Sequence, residues 1–180
     1  MKQQTVYAKA KSVLLLTAAL VIFSVASSFA QGRFSIGAEL ALPSGDFGDA
    51  VGTGFGASVR YEAPINDNLS WMGTAGFLTF GKKDVGGIDI SASIIPINAG
   101  LKYYFTESFN GFYAGAELGI NLVKVKAEFG GESDSESSTE FGFAPQVGYH
   151  LANFDFAVRY AIVSDADYIG LRAAYVFGGE

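Results

Sequence analysis

The chain has 180 residues, no cysteine, 12 Lys and Arg against 18 Asp and Glu, and a formal net charge of −6. With no basic run longer than Lys82-Lys83, it offers no stripe for nucleic-acid phosphates, and without cysteine it has no disulfides, thiolate metal centres or lipidated anchor. Glycine (23), Phe (16) and Tyr (9) are frequent while Pro (4) is rare, which favours many short strands joined by turns over a helical fold.

Residues 1–30 have the three parts of a secretory signal peptide. Lys2, Lys9 and Lys11 form the charged start, Val13 to Val25 the apolar core, and Ser28 and Ala30 the small-residue end, with cleavage expected before Gln31. The 13-residue apolar run is shorter than the roughly 20 residues a membrane-crossing helix needs. The mature domain is therefore expected to be 31–180.

From Arg33 onward apolar residues recur at every second position, the period of a strand. The first expected strand carries Phe34, Ile36, Ala38, Leu40 and Leu42 on one face, with Ser35, Gly37 and Glu39 on the other. The second has Phe55 to Tyr61 opposite Gly56, Ser58, Arg60 and Glu62, and the third has Leu69 to Phe77 opposite Ser70, Met72, Thr74 and Gly76. The fourth runs from about Ile88 to Phe105, with Asn98, Gly100 and Lys102 on its polar face; the fifth carries Tyr113, Gly115, Glu117, Gly119 and Asn121 there. The sixth has Gly142, Ala144, Gln146, Gly148 and His150, the seventh Asp155, Ala157 and Arg159, and the eighth Gly170, Arg172 and Ala174. Pro96 and Pro145 fall within strands and remove ladder donors, and the apolar parity shifts across Pro96, so a β-bulge is expected there.

Alternation does not say which face meets water. The second face is mostly Gly, Ala and Ser with isolated charges, whereas a solvated face would be crowded with Lys, Glu, Asp, Thr and Gln. Small residues suit the narrow interior of an eight-stranded barrel whose apolar face meets lipid. With the N-terminus on the periplasmic side, the outer connections fall at roughly 43–54, 81–87, 127–140 and 164–168, and the inner ones at 64–68, 106–111 and 152–153. Most of the long ones then lie outside, as outer-membrane barrels have them, and both termini lie in the periplasm. On the lipid-facing parity, rings such as Trp71, Tyr103, Phe112, Tyr149 and Phe177 gather at the periplasmic end, and Phe55, Phe77, Phe141 and Phe143 at the other. The expected fold is all-β: an eight-stranded antiparallel up-and-down transmembrane β-barrel in the cell outer membrane.

Three segments carry a family resemblance: Leu42-Pro43-Ser44-Gly45-Asp46-Phe47-Gly48 with Gly54-Phe55-Gly56; Pro96 to Phe105; and the last strand. From Phe34 to Phe177 the chain resembles the small OmpA/OmpX-type barrels and the porin-like "outer membrane protein β-barrel domain" family. The resemblance implies that Gly170, Tyr175 and Phe177 form an assembly signal for the barrel-insertion machinery. Gly178-Gly179-Glu180 follow the aromatic, where the family pattern ends on it.

Eight charges fall on the inward parity: Glu39, Arg60, Glu62, Lys102, Glu117, Asp155, Arg159 and Arg172. Unpaired charge in a narrow interior is costly, so a paired network is expected. It would either plug the lumen or, on rearrangement, open a small ion path. His150, the only histidine, has no nucleophile partner by any recognisable motif and is expected to be structural; no catalytic, metal or cofactor site is expected. Glu128 to Glu140 carries five acids among hydroxyl residues and reads as a solvated loop, with recognition of an extracellular partner at 127–140 or cation binding as its functional alternatives. Lys124 and Lys126 precede it on the outward parity, placed to meet lipid phosphates.

These features favour a non-enzymatic outer-membrane barrel with a structural or surface-interaction role through its outer loops. A narrow pore or transporter for small or apolar molecules is the second reading, and a lipid-modifying barrel enzyme the third. The expected partners are outer-membrane lipid and, during insertion, the assembly machinery.

Overall fold

The computed structural model describes residues 32–106, 109–130 and 132–178; the expected signal peptide lies outside the described residues. Eight strands follow in chain order: β1 (Arg33–Pro43), β2 (Gly54–Pro64), β3 (Leu69–Val85), β4 (Ile88–Tyr104), β5 (Gly111–Phe129), β6 (Glu132–Leu151), β7 (Phe154–Val163) and β8 (Tyr168–Phe177). One helix, α1 (Gly45–Ala50), lies between β1 and β2. Each strand pairs antiparallel with its sequence neighbour, and β8 closes on β1, Phe34 opposite Phe177 and Pro43 opposite Tyr168. The fold is thus a closed, eight-stranded, up-and-down barrel, as the alternation implied.

Face assignment follows the period-two pattern. In β7, Phe154, Phe156, Val158, Tyr160 and Ile162 are exposed, while Asp155, Ala157 and Arg159 are buried. The outer wall is a continuous apolar belt far larger than a soluble monomer leaves uncovered. Its rings interlock toward the end that holds both described termini: Phe112 with Tyr149 at 4.6 Å, Phe154 with Tyr175 at 5.6 Å, and Tyr61 with Trp71 at 5.4 Å.

The opposite end departs from expectation. The segments 81–87 and 127–140, read as loops, are largely strand. β5 and β6 stay in register from Gly111 opposite His150 to Phe129 opposite Glu132, and β3 and β4 pair as far as Val85 opposite Ile88. Ser and Glu are weak strand formers alone, but a ladder already aligned by the barrel supplies backbone partners to each added residue, and that context outweighs propensity. Gly86 and Gly87, with φ of 66° and 88°, form the two-residue turn whose twist fits a hairpin. β3, β4, β5 and β6 therefore rise as a wall above the rim. β2 joins β3 only from Phe80 downward, and β7 joins β6 only from Gly142 downward.

The expected bulge at Pro96 is also corrected. Pairing of β4 with β5 runs unbroken through Ile95, Pro96 and Ile97, and the register shift lies in β3 between Phe80 and Lys83. The apolar pattern changes parity at Pro96 because the interior itself turns apolar there. Ile94 and Ala92 point inward and are buried, while Ile95 and Ile97 point outward.

This apolar upper interior is capped by α1. Ser44 donates its backbone N–H to the Asp167 carbonyl at 2.9 Å, tying the segment to the β7–β8 turn. Phe47 drops into the barrel among Val51, Leu78, Phe80, Ile94 and Tyr168.

Candidate functional site

The interior below that cap is polar, and its side chains come from all eight strands. The eight charges on the inward parity are each at most 7 % exposed. The structure brings them together with a ninth, Arg33, and a set of hydroxyls.

Asp155 is the hub. One carboxylate oxygen accepts from Lys102 Nζ at 2.8 Å; the other accepts from Arg172 Nη1 and from the Tyr113 hydroxyl, both at 3.2 Å, and lies 3.7 Å from Arg60 Nη1. Lys102 Nζ also donates to Glu62 at 3.0 Å and sits 3.9 Å from the Tyr113 ring centroid. Glu62 accepts further from Arg33 at 2.8 Å, Ser70 at 2.7 Å and Tyr104 at 2.8 Å. In the next layer Arg60 donates to Glu117 at 2.9 Å and to Thr74 at 3.0 Å, and the Thr74 hydroxyl donates in turn to Glu117 at 2.7 Å. Higher still, Glu39 lies 3.1 Å from Arg159 and 3.5 Å from Arg172, and accepts from Ser58 at 2.6 Å. Arg172 fills its other donors on Ser58 and Ser35, both at 2.9 Å. Each carboxylate thus meets at least one cation and one hydroxyl or second cation, the arrangement that limits the desolvation cost of buried ions.

Small residues make room for these long side chains. A Cβ on Gly170 would stand 2.8 Å from Arg159 Nε, and one on Gly148 would stand 2.3 Å from the Tyr113 ring. Gly170 therefore has a packing role beside the assembly-signal role its family resemblance implies. Tyr175 and Phe177, in the same strand, face outward with ring centroids 4.8 Å apart.

At the end near the termini the lumen is stopped by Arg33, Tyr104, Tyr113, Phe109 and His150. Arg33 donates to the Phe109 carbonyl at 3.2 Å and to the Tyr104 hydroxyl at 3.1 Å, and its guanidinium lies over the Phe109 ring at 5.2 Å. His150 Nδ1 is 2.6 Å from that same carbonyl. Beside this group an interior void bounded by Glu62, Lys102 and Asp155 measures about 10 Å³, room for at most one water. Among the described residues no group of His, Cys, Asp and Glu could hold a metal ion.

Arg33, Tyr104 and Tyr113 were missed as network members. The signal was present: each lies on the inward parity, Arg33 two residues before Ser35, Tyr104 two after Lys102, and Tyr113 four before Glu117. Tyr113 falls on the polar face, but an uncharged ring carries no mark of a charge-network partner; parity supplies it.

On the raised wall the two faces differ. Outward, Lys124 pairs across to Ser137 and Ser93, and Lys126 to Ser135 and Ser91. Lys126 and Lys82 both donate to Glu128, and these two hydrogen bonds hold its carboxyl down at about 2. Inward, β6 presents Glu136 and Asp134 across from Val125 and Ala127 of β5, Glu132 beyond them, and Glu140 across from Asn121.

The family model described as outer membrane protein beta-barrel domain matches residues 14–177. A search of curated proteins finds no match. Among solved structures, Ail, the attachment invasion locus protein of Yersinia pestis, superposes with a TM-score of 0.61 at 19% identity, covering 81% of this chain and 97% of Ail. Neisserial surface protein A gives 0.51 at 18%, covering 81% and 95% of the two chains. The N-terminal β-barrel domain of Pseudomonas aeruginosa OprF gives 0.54 at 12%, covering 82% and 98%. At these identities the likeness is one of fold.

Proposed function

The chain belongs to the outer membrane protein beta-barrel domain family, and from that premise we propose that it is a non-enzymatic, non-conducting barrel of the outer membrane that acts through its outer wall. Both termini are periplasmic in this reading, the raised β3–β6 wall is extracellular, and Gly170, Tyr175 and Phe177 serve recognition by the insertion machinery.

The observation that carries the reading is the filled lumen. A ring of Arg33, Tyr104, Tyr113 and His150 stops one end, a cross-linked charge network fills the middle, and Phe47 with its apolar neighbours fills the other end. An ion path would have to separate Asp155 from three cations at once, and an apolar ligand would have to displace α1 and then pass a layer of charge. His150, the one histidine, sits at the end remote from the outer wall, which gives no support to a lipid-modifying reaction there. Single-channel recording in planar bilayers tests the reading. A silent barrel is expected, and reproducible openings would replace it with the pore alternative.

A further inference from the structure

The face of the raised wall that looks over the barrel mouth has no partner. Ile90 and Ala92 at its base are taken up by the α1 cap, but Val125, level with Ala92, and Ile88 and Val85 toward the tip remain 37, 38 and 43 % exposed. On the same face and directly alongside runs a row of acids, Glu136 paired across from Val125 and Asp134 from Ala127, with Glu132 beyond. No β7 residue pairs with β6 above Gly142, so this acidic strand forms an open border. Among the described residues the cation on that face is Lys83, and it is engaged with the Gly48 carbonyl at 2.8 Å.

An apolar strip bordered on one side by a row of negative charge is the complement of a helix with an apolar face and a row of cations beside it. The spacings agree. Acids two residues apart on a strand repeat at ~6.8 Å, and side chains four apart on a helix repeat at ~6 Å. A small ion would satisfy the acids and leave the apolar strip wet; a neutral lipid chain would cover the strip and bury uncompensated carboxylates. We propose that the inner face of the β3–β6 wall docks a cationic amphipathic peptide, its apolar stripe on Val85, Ile88 and Val125 and its cations along Glu132, Asp134 and Glu136. This rests on the surface-interaction reading above and gives that surface a partner.

The test uses the folded barrel in nanodiscs of zwitterionic lipid, with empty discs as the blank, and a fluorescent helical Leu/Lys peptide of amphipathic periodicity read by anisotropy. Binding is expected, weakened roughly tenfold by the triple change Glu132→Gln, Asp134→Asn, Glu136→Gln, and likewise by Val125→Ser with Ile88→Ser. The pair Asp84→Asn and Asp89→Asn lowers the charge at the wall tip and is expected to leave affinity unchanged. Folding of every variant is checked by heat-modifiable gel mobility. Equal binding by the triple variant, an equal loss from the tip pair, or equal binding of a scrambled peptide with no apolar face would each overturn the proposal. Bilayer recording on the same preparation separates the two levels: absent binding with a silent barrel removes this partner, whereas channel openings remove the surface-interaction reading itself.

Discussion

Phe47 of α1 meets Phe80 of β3 edge-on inside the barrel end remote from the termini, with ring centroids 4.9 Å apart, and Phe80 in turn meets Tyr168 of β8 at 6.0 Å. A six-residue helix has little stability of its own, so its position depends on this buried ring together with the Ser44 tie to Asp167 and the Lys83 bond to the Gly48 carbonyl.

Phe47→Ala is expected to cost about 3–5 kcal/mol, the range for truncating a buried Phe, read as a lower urea midpoint in lipid vesicles. Conductance is expected to stay at baseline, because the layer of Arg60, Thr74 and Glu117 beneath remains closed. Ionic current in Phe47→Ala would show that the cap alone seals the barrel.

Asp155→Asn removes the charge that balances Lys102, Arg60 and Arg172. Stranding buried cations typically costs about 3–5 kcal/mol, so this variant is expected to be among the least stable interior substitutions. A double-mutant cycle on Arg60 and Glu117 checks the same logic. Arg60→Met with Glu117→Gln is expected to cost less than the sum of the two single changes, because neither ion is then left alone.

Lys124 is exposed on the outward face, level with Ser137 and Ser93 and two residues above lipid-facing Leu122. Lys124→Gln is expected to lower stability by about 1 kcal/mol in bilayers carrying anionic phosphate headgroups. In zwitterionic bilayers it should change little, so an equal effect in both would deny a headgroup contact.

Glu128 predicts a pH signature. Hydrogen bonds from Lys126 and then Lys82 lower its folded pKa to about 2 from an ordinary 4.5. Their contribution to hairpin stability is therefore complete above about pH 4.5 and fades as pH falls toward 2. Carboxyl ¹³C titration should place the Glu128 midpoint near 2, and Lys82→Gln should move it upward.

Strand number, face and closure were legible because a barrel of this width repeats one rule on every strand: small or charged inward, apolar outward. The same parity located the buried charges, from Glu39 in β1 to Arg172 in β8. Legibility failed where a second environment interrupts the rule. Above Pro96 the interior becomes apolar, so Ile94 and Ile95 look alike in sequence while facing opposite ways, and a bulge was inferred where none exists. The stretch Glu132 to Glu140 has the composition of a loop, and only its partner strand β5, supplied by the barrel below, makes it extended. α1 escaped notice because six residues hold too few apolar positions to show a helical period; Phe47 alone marks it.

The open border of β6 bears on self-association. Ten residues whose backbone is open on one side at a sheet margin are a template on which a second molecule could add its own β6. Aligned antiparallel and centred on Glu136, two such strands would set Glu136 against Glu136 and bring Glu132 against Glu140 at either end. Like charges facing each other across a ladder are destabilising. The acidic row thus acts as a gatekeeper against antiparallel pairing between barrels of two facing membranes, whose β6 strands run in opposite directions.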